Sequence, residues 1–160
     1  MSIKFNYSDS QAKQNGRFHM RFDERNAKFI LFNPLNHVAL QLQVAGEKAL
    51  LSRPGQKLYW RGDFSLLLDR LWGIELTVAE LKEIILSGAL PQAKIREKGM
   101  VVDLEHNPDS QVPQTIKIRQ NHAELILKIL KNETRPGNII LLERLPGYKK
   151  AELEGILDHD

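Results

Sequence analysis

DFSLLLDRLWGIELTVAELKEIILSGALP, running from Asp63 to Pro91, decides how this chain is read. It holds two short helical patterns and sits between two runs of strand-like sequence. Asp63 suits the cap of a helix over Phe64–Trp72, because its short side chain can accept from the free N–H groups of a first turn. Gly73 is placed to end that helix in the left-handed conformation. Thr77, with Glu80 three residues on, forms a capping box for a second helix over Val78–Leu86, and Gly88 is its stop. Leu67 and Leu71 give the first helix an apolar face, and Leu81, Ile84 and Ile85 do the same for the second. Two helices set inside a single sheet have to lie over it, and its apolar face is where their own stripes can be buried. A curled sheet under a helical lid is a container for something apolar.

Outward from this segment the period is two. Phe18, Met20 and Phe22 fall on one face of a strand, with Arg17, His19 and Arg21 on the other. Ala27–Phe32 is almost continuously apolar, as in a strand covered on both sides, and Asn33-Pro34 breaks it. Val38, Leu40, Leu42 and Val44 alternate with Ala39, Gln41 and Gln43. Gly46-Glu47 and Arg53-Pro54-Gly55 turn the chain into Lys48–Ser52 and Lys57–Trp60. Beyond the helices, Met100, Val102 and Leu104 alternate with Val101, Asp103 and Glu105, and Ile116 and Ile118 with Thr115, Lys117 and Arg119. Period two at Leu125, Leu127 and Ile129 favours a strand where propensity alone would give a helix. Ile139 and Leu141 continue the pattern after the turn at Arg135-Pro136-Gly137. The expected fold is mainly β with an α lid: an antiparallel, unclosed half-barrel whose two short helices cover an apolar concave face. Residues 1–15, poor in apolar side chains, read as a flexible arm, 16–148 as a single half-barrel domain, and 149–160 as a C-terminal tail with a weak helical pattern.

Composition narrows the function classes. A chain of 160 residues with 42% hydrophobic and 27% charged content is an ordinary single globular domain. No run approaches the roughly 18 apolar residues of a spanning helix, and Met1–Gly16 lacks the apolar core of a signal peptide. Without cysteine there is no disulfide, thiol nucleophile, Cys-bound zinc or iron–sulfur cluster. The net charge of +3 is too small to point to nucleic acid. It is uneven, though: residues 1–60 carry nine Lys or Arg against four acids, a tilt of +5. Such a tilt suits an anionic membrane surface or an acidic partner, and also the solvated outer face of a sheet.

Motifs for chemistry are missing. His19, His37, His106, His122 and His159 show no paired metal-binding spacing. Ser65, Ser87 and Ser110 sit beside no general base, and there is no nucleophile elbow, phosphate loop or dinucleotide fingerprint. No catalytic residue, metal or cofactor is expected. The apolar candidates say more. Leu35 occupies the turn Asn33-Pro34-Leu35-Asn36, where a polar residue is usual, so it is either folded back or presented to a partner or bilayer. Tyr59, Trp60, Phe64 and Trp72 gather at the sheet-to-helix junction.

The order of these pieces resembles the LolB-like bacterial lipoprotein-localisation proteins. Gly16-Arg17-Phe18 resembles their opening strand, and Phe32-Asn33-Pro34-Leu35 their turn between early strands. The likeness runs on through Tyr59, Leu66-Leu67, Leu71–Leu76, Ile85–Pro91 and Pro113-Gln114-Thr115-Ile116, spanning about residues 16–145. Asn36 stands in place of the turn glycine, Thr77 in place of a usual proline, and Ile84 where tryptophan is common. The acylated N-terminal cysteine and its leader do not occur in this sequence. The resemblance implies a non-enzymatic protein on the periplasmic face of the bacterial envelope. Its partners would be acyl chains of lipid or lipoproteins and a periplasmic carrier protein. Lining residues for the chain are then Phe18, Met20, Phe22, Phe29, Leu31, Leu40, Leu42 and Trp60, with Leu67, Leu71, Leu81 and Ile85 on the lid. Leu35 becomes a membrane-contact turn residue. The alternative is a ligand-free β-scaffold for protein–protein interaction, and, less favoured, a hydrolase with His106 or His122 facing the cavity.

Overall fold

The computed structural model describes residues 1–10, 13–23, 26–33, 35–87, 92–106, 112–131, 139 and 145–157. Strands β1 (Ser2–Ser8), β2 (Lys13–Phe22), β3 (Asn26–Phe32), β4 (Val38–Ala45), β5 (Lys48–Arg53) and β6 (Leu58–Asp63) come first, with a 3-10 turn at Pro54–Gln56. Helices α1 (Phe64–Trp72), α2 (Val78–Ser87) and α3 (Gln92–Glu97) follow. The chain then resumes β7 (Met100–His106), β8 (Pro113–Gln120), β9 (Ala123–Lys131) and β10 (Lys149–Lys150), and the described part ends with α4 (Leu153–Leu157). All ten strands form one sheet in the order β10-β6-β5-β4-β3-β2-β1-β9-β8-β7. Neighbours are antiparallel except β10, which lies parallel to β6. The sheet is open and does not close into a barrel, so the fold is the mainly β half-barrel with helical cover that the periodicity gives.

Register turns the alternating pattern into one continuous inner face. Val102 lies opposite Ile118, Ile118 opposite Leu125, Tyr7 opposite Leu125 and Ile3 opposite Phe18. The row continues through Phe18–Leu31, Leu31–Leu40, Leu42–Leu51 and Leu51–Trp60. Nearly all of these side chains are buried, and the core is a single cluster that also takes in Phe64, Leu67, Ile74, Leu76, Ile84 and Ile85. The helices therefore cover this face, as their apolar stripes require. Two glycines make room for large rings on it. A Cβ on Gly16 would lie 2.7 Å from the Phe5 ring, and one on Gly62 would lie 2.0 Å from the Trp60 indole.

Several expectations need correction. Residues 1–15 are not a free arm: β1 lies in the interior of the sheet, paired with β2 on one side and β9 on the other. Ile3, Phe5 and Tyr7 alternate with Lys4 and Asn6, so the strand signal was present but diluted by the polar run after Ser8. Asp63 does precede α1, but its side chain caps nothing; its carboxylate instead meets Lys48 Nζ at 2.5 Å. Gly73 ends α1 as expected, at φ +59, with its N–H donating to Asp69 O at 2.7 Å. A third short helix, α3, follows the two that the sequence pattern gives. The tail from Lys149 adds β10 to the β6 edge, with Lys149 and Ala151 N–H groups donating to Lys57 and Tyr59 carbonyls at 2.8 Å. Leu153 and Ile156 of α4 are buried. Ile139 is buried but not in a strand. Pro34, Gly88, Pro91, Ser110, the Arg135-Pro136-Gly137 turn, Leu141 and His159 lie outside the described residues.

Candidate functional site

Aromatic rings run across the inner face beneath the first helix. Phe22 meets Phe29 edge-on at 6.2 Å, and Phe29 stacks on Phe64 of α1 at 6.0 Å. From Phe29 the chain of contacts passes to Phe18 at 6.1 Å, to Phe5 at 5.9 Å and to Trp72 at 5.7 Å. The pairs to Phe18, Phe5 and Trp72 are tilted, and all five centroid separations fall within the range of favourable aromatic contacts. The belt is not sealed. Phe22, Phe29 and Leu31 on the sheet, and Leu71 and Trp72 on α1, remain partly exposed while packed against the core. Leu31 and Phe29 belong to β3, an interior strand of the sheet, where a flush lid would exclude water altogether.

The sequence-derived candidates divide accordingly. Phe18, Met20, Leu40, Leu42, Trp60, Leu67, Leu81 and Ile85 are buried in the core cluster. Phe22, Phe29, Leu31 and Leu71 border the partly exposed zone. Of the junction aromatics, Trp60 and Phe64 are buried and Trp72 is part of the belt. Tyr59 points the other way, since it pairs across from Ser52 on the outer face.

Leu35 stands apart at the β3–β4 turn, 76% exposed and the most exposed large hydrophobe described. The turn itself is well made. Asn36 N–H donates to Asn33 O at 2.9 Å, and His37 N–H to Asn33 Oδ1 at 2.9 Å. Asn36 adopts φ +63, a conformation that asparagine tolerates better than most residues, which is why it can stand where glycine is expected. A hydrogen-bonded turn thus holds an apolar side chain out in solvent, next to the end of β3 that carries Leu31.

A polar node that sequence reading missed fastens the lid. Gln120, buried at the end of β8, accepts from Glu75 N–H at 2.9 Å and donates to Lys98 O at 3.1 Å. Lys98 Nζ reaches Glu80 Oε2 at 2.8 Å and Glu75 O at 3.2 Å. Glu80 completes the capping box: Thr77 N–H donates to its carboxylate at 2.9 Å, and its own N–H donates to Thr77 Oγ1 at 3.2 Å. Thr77 therefore serves where proline is usual. Burial pushes the Glu80 carboxyl up, but Lys98 and the two Thr77 groups outweigh it and hold the carboxyl below its ordinary value. At the other side of the sheet, Lys82 Nζ donates to Asp23 O at 2.7 Å. Helix α2 is thus tied to β8 and to the β2–β3 turn.

The outer face offers a different feature, an open pocket of about 520 Å³ lined by Leu50, Tyr59, Arg61, Leu145, Pro146, Tyr148 and Lys150. Among the described residues no group of three or more His, Cys, Asp or Glu side chains could hold a metal. His106 and His122 are exposed, on an edge strand and in a turn. No helix of the described residues is long and apolar enough to cross a membrane.

Comparison with known families gives a match to "Outer membrane lipoprotein LolB" over residues 1–131. Comparison with curated proteins gave no match. The family match begins at the first residue and so takes in β1, ahead of the Gly16 start of the visible likeness. It covers all of the sheet except β10, together with α1, α2 and α3. The family is one of lipoprotein localisation at the bacterial outer membrane, working as carrier and receptor rather than as enzyme. The chain belongs to the LolB family of outer membrane lipoproteins.

Proposed function

We propose that this protein receives an acyl chain of a lipid or lipoprotein on its inner face and passes it to the membrane at the Leu35 turn. The observation that carries this reading is the partial exposure of Phe29 and Leu31 on an interior strand under a helical cover. An alkyl chain laid along the ring belt would lose water at about 0.8 kcal/mol per CH₂, with no polar group required. Leaving the belt, it needs a second apolar surface close by. Leu35 supplies one at the same end of β3. Chemistry plays no part in such a transfer, and none of the residues named has a catalytic role. A carrier protein delivering the chain from the periplasm and a location on the periplasmic face complete the proposal.

The scaffold reading would need an edge strand inviting addition. The β6 edge is taken by β10, and β7 presents Asp103 and Glu105 outward, which discourages pairing. A fluorescent fatty-acid probe tests the reading. The wild-type protein is expected to bind it and to quench Trp72, Leu31→Asp to lose binding while staying folded, and Tyr148→Ala on the outer pocket to keep it. Loss in Tyr148→Ala with retention in Leu31→Asp would move the site to the outer face and refute the proposal.

A further inference from the structure

The outer face of the sheet carries a row of cations that no ion pair among the described residues neutralises. Register sets Arg17 of β2 directly opposite Lys4 of β1, and Lys4 directly opposite Lys128 of β9. All three side chains are exposed, and at about 4.8 Å between strands they span roughly 10 Å. Arg21 lies opposite Lys28 on the same face, two strand residues further on from His19. Like charges set directly across a ladder weaken it, so the arrangement works against the sheet. Of the described acids of this face, Glu124 pairs with Lys117 at 2.8 Å and Asp103 with Arg119 at 2.5 Å, while Glu105 stands at the β7 edge, two strands beyond Lys128 and across Thr115. Among the described ion pairs, none involves Lys4, Arg17, Arg21 or Lys128.

Position gives the row its meaning. Arg17 is opposite Phe32, the last residue of β3, so the row lies level with the base of the Leu35 turn. Three extended residues reach at most about 10 Å, so a surface that Leu35 enters end-on to the strands lies within about one Debye length of the row. We infer that the Arg17–Lys4–Lys128 row is a docking surface for the anionic headgroups of a phospholipid bilayer, orienting the molecule so that the Leu35 turn meets the membrane. This deepens the proposed handoff of acyl chains, but its evidence is the charge pattern and register, not the ring belt.

The test is sedimentation of the full chain with vesicles of phosphatidylcholine alone or with about 30% phosphatidylglycerol, at low and high salt. The expected result is tighter binding to anionic vesicles that is lost at high salt. A juxtamembrane cation contributes about a fivefold gain in partitioning, so the triple variant K4Q/R17Q/K128Q should bind roughly a hundredfold more weakly. The variant K57Q/R70Q/R96Q, which removes the same charge from other exposed positions, should bind within a few fold of wild type. Equal loss in both triples, or equal binding to neutral and anionic vesicles, would overturn the assignment and leave an acidic protein face as the occupant. Fatty-acid probe binding on the same variants keeps the two proposals apart. Intact loading with lost vesicle binding isolates the surface, whereas lost loading with intact vesicle binding would indict the inner face alone.

Discussion

Leu35→Ala separates a structural leucine from a membrane-facing one. The substitution removes three carbon groups, worth about 2.4 kcal/mol on transfer from water to hydrocarbon at about 0.8 kcal/mol each. With the side chain 76% exposed, about 1.8 kcal/mol of that remains available to a bilayer and almost none of it supports the fold. If Leu35 enters the bilayer in the rate-limiting step of transfer, the rate should fall about 20-fold, at one tenfold step per 1.4 kcal/mol. The assay is stopped-flow transfer of a fluorescent fatty acid from loaded protein to vesicles, with loading and melting measured alongside. Loading should be unchanged and Tm should move by less than about 2 °C, as for exposed substitutions generally. Transfer at the wild-type rate would refute the role of this turn. A Tm loss of more than about 5 °C would show instead that Leu35 packs onto the protein in solution.

Glu80→Gln should cost about 1–2 kcal/mol, because the charge-assisted bond to Lys98 is lost while the Thr77 contacts can persist. The folded carboxyl titrates below its unfolded value of about 4.5, so its contribution is complete above that pH and fades as pH falls toward the folded value. The Tm gap between wild type and variant should therefore narrow between pH 6 and pH 3, and a constant gap would contradict the assigned charge. Gly62→Ala places a carbon 2.0 Å from the Trp60 ring, so the indole must swing; in a Trp72→Phe background, emission should shift to the red with a loss of about 1–3 kcal/mol. Unchanged emission would mean the ring does not lie over Gly62. At φ +63, Asn36→Gly should leave Tm nearly unchanged and Asn36→Val should lower stability by about 1–2 kcal/mol; a tolerated valine would exclude the left-handed turn.

Most of the sheet was legible because its inner face is apolar and its outer face polar, so period two survives in β2, β4, β7, β8 and β9. β1 carries the same alternation in Ile3, Phe5 and Tyr7, and was lost only by averaging it with the polar residues that follow. The lid helices were legible from the Gly73 stop of the first and from the Thr77–Glu80 box of the second. Asp63 misled, because a capping residue and an ion-pairing residue are the same residue type, and only the fold brings Lys48 beside it. α3 and β10 are six and two residues long, too short for a period to register. The Gln120–Lys98–Glu80 node joins residues far apart in sequence and no local pattern announces it. The ring belt was half visible: Phe18, Phe22 and Phe29 stood on the correct face, while Phe5 was hidden with β1. The outer cation row needed register, since alternation alone does not say which strands lie side by side.

Everything proposed for the ring belt and the Leu35 turn rests on an acyl chain held at the inner face. Native mass spectrometry of the protein purified without detergent, followed by organic extraction, tests it most directly. The expected result is a co-purified acyl species near one per chain, released on unfolding and absent from Leu31→Asp. Empty wild-type protein that also fails to take up added fatty acid would contradict it.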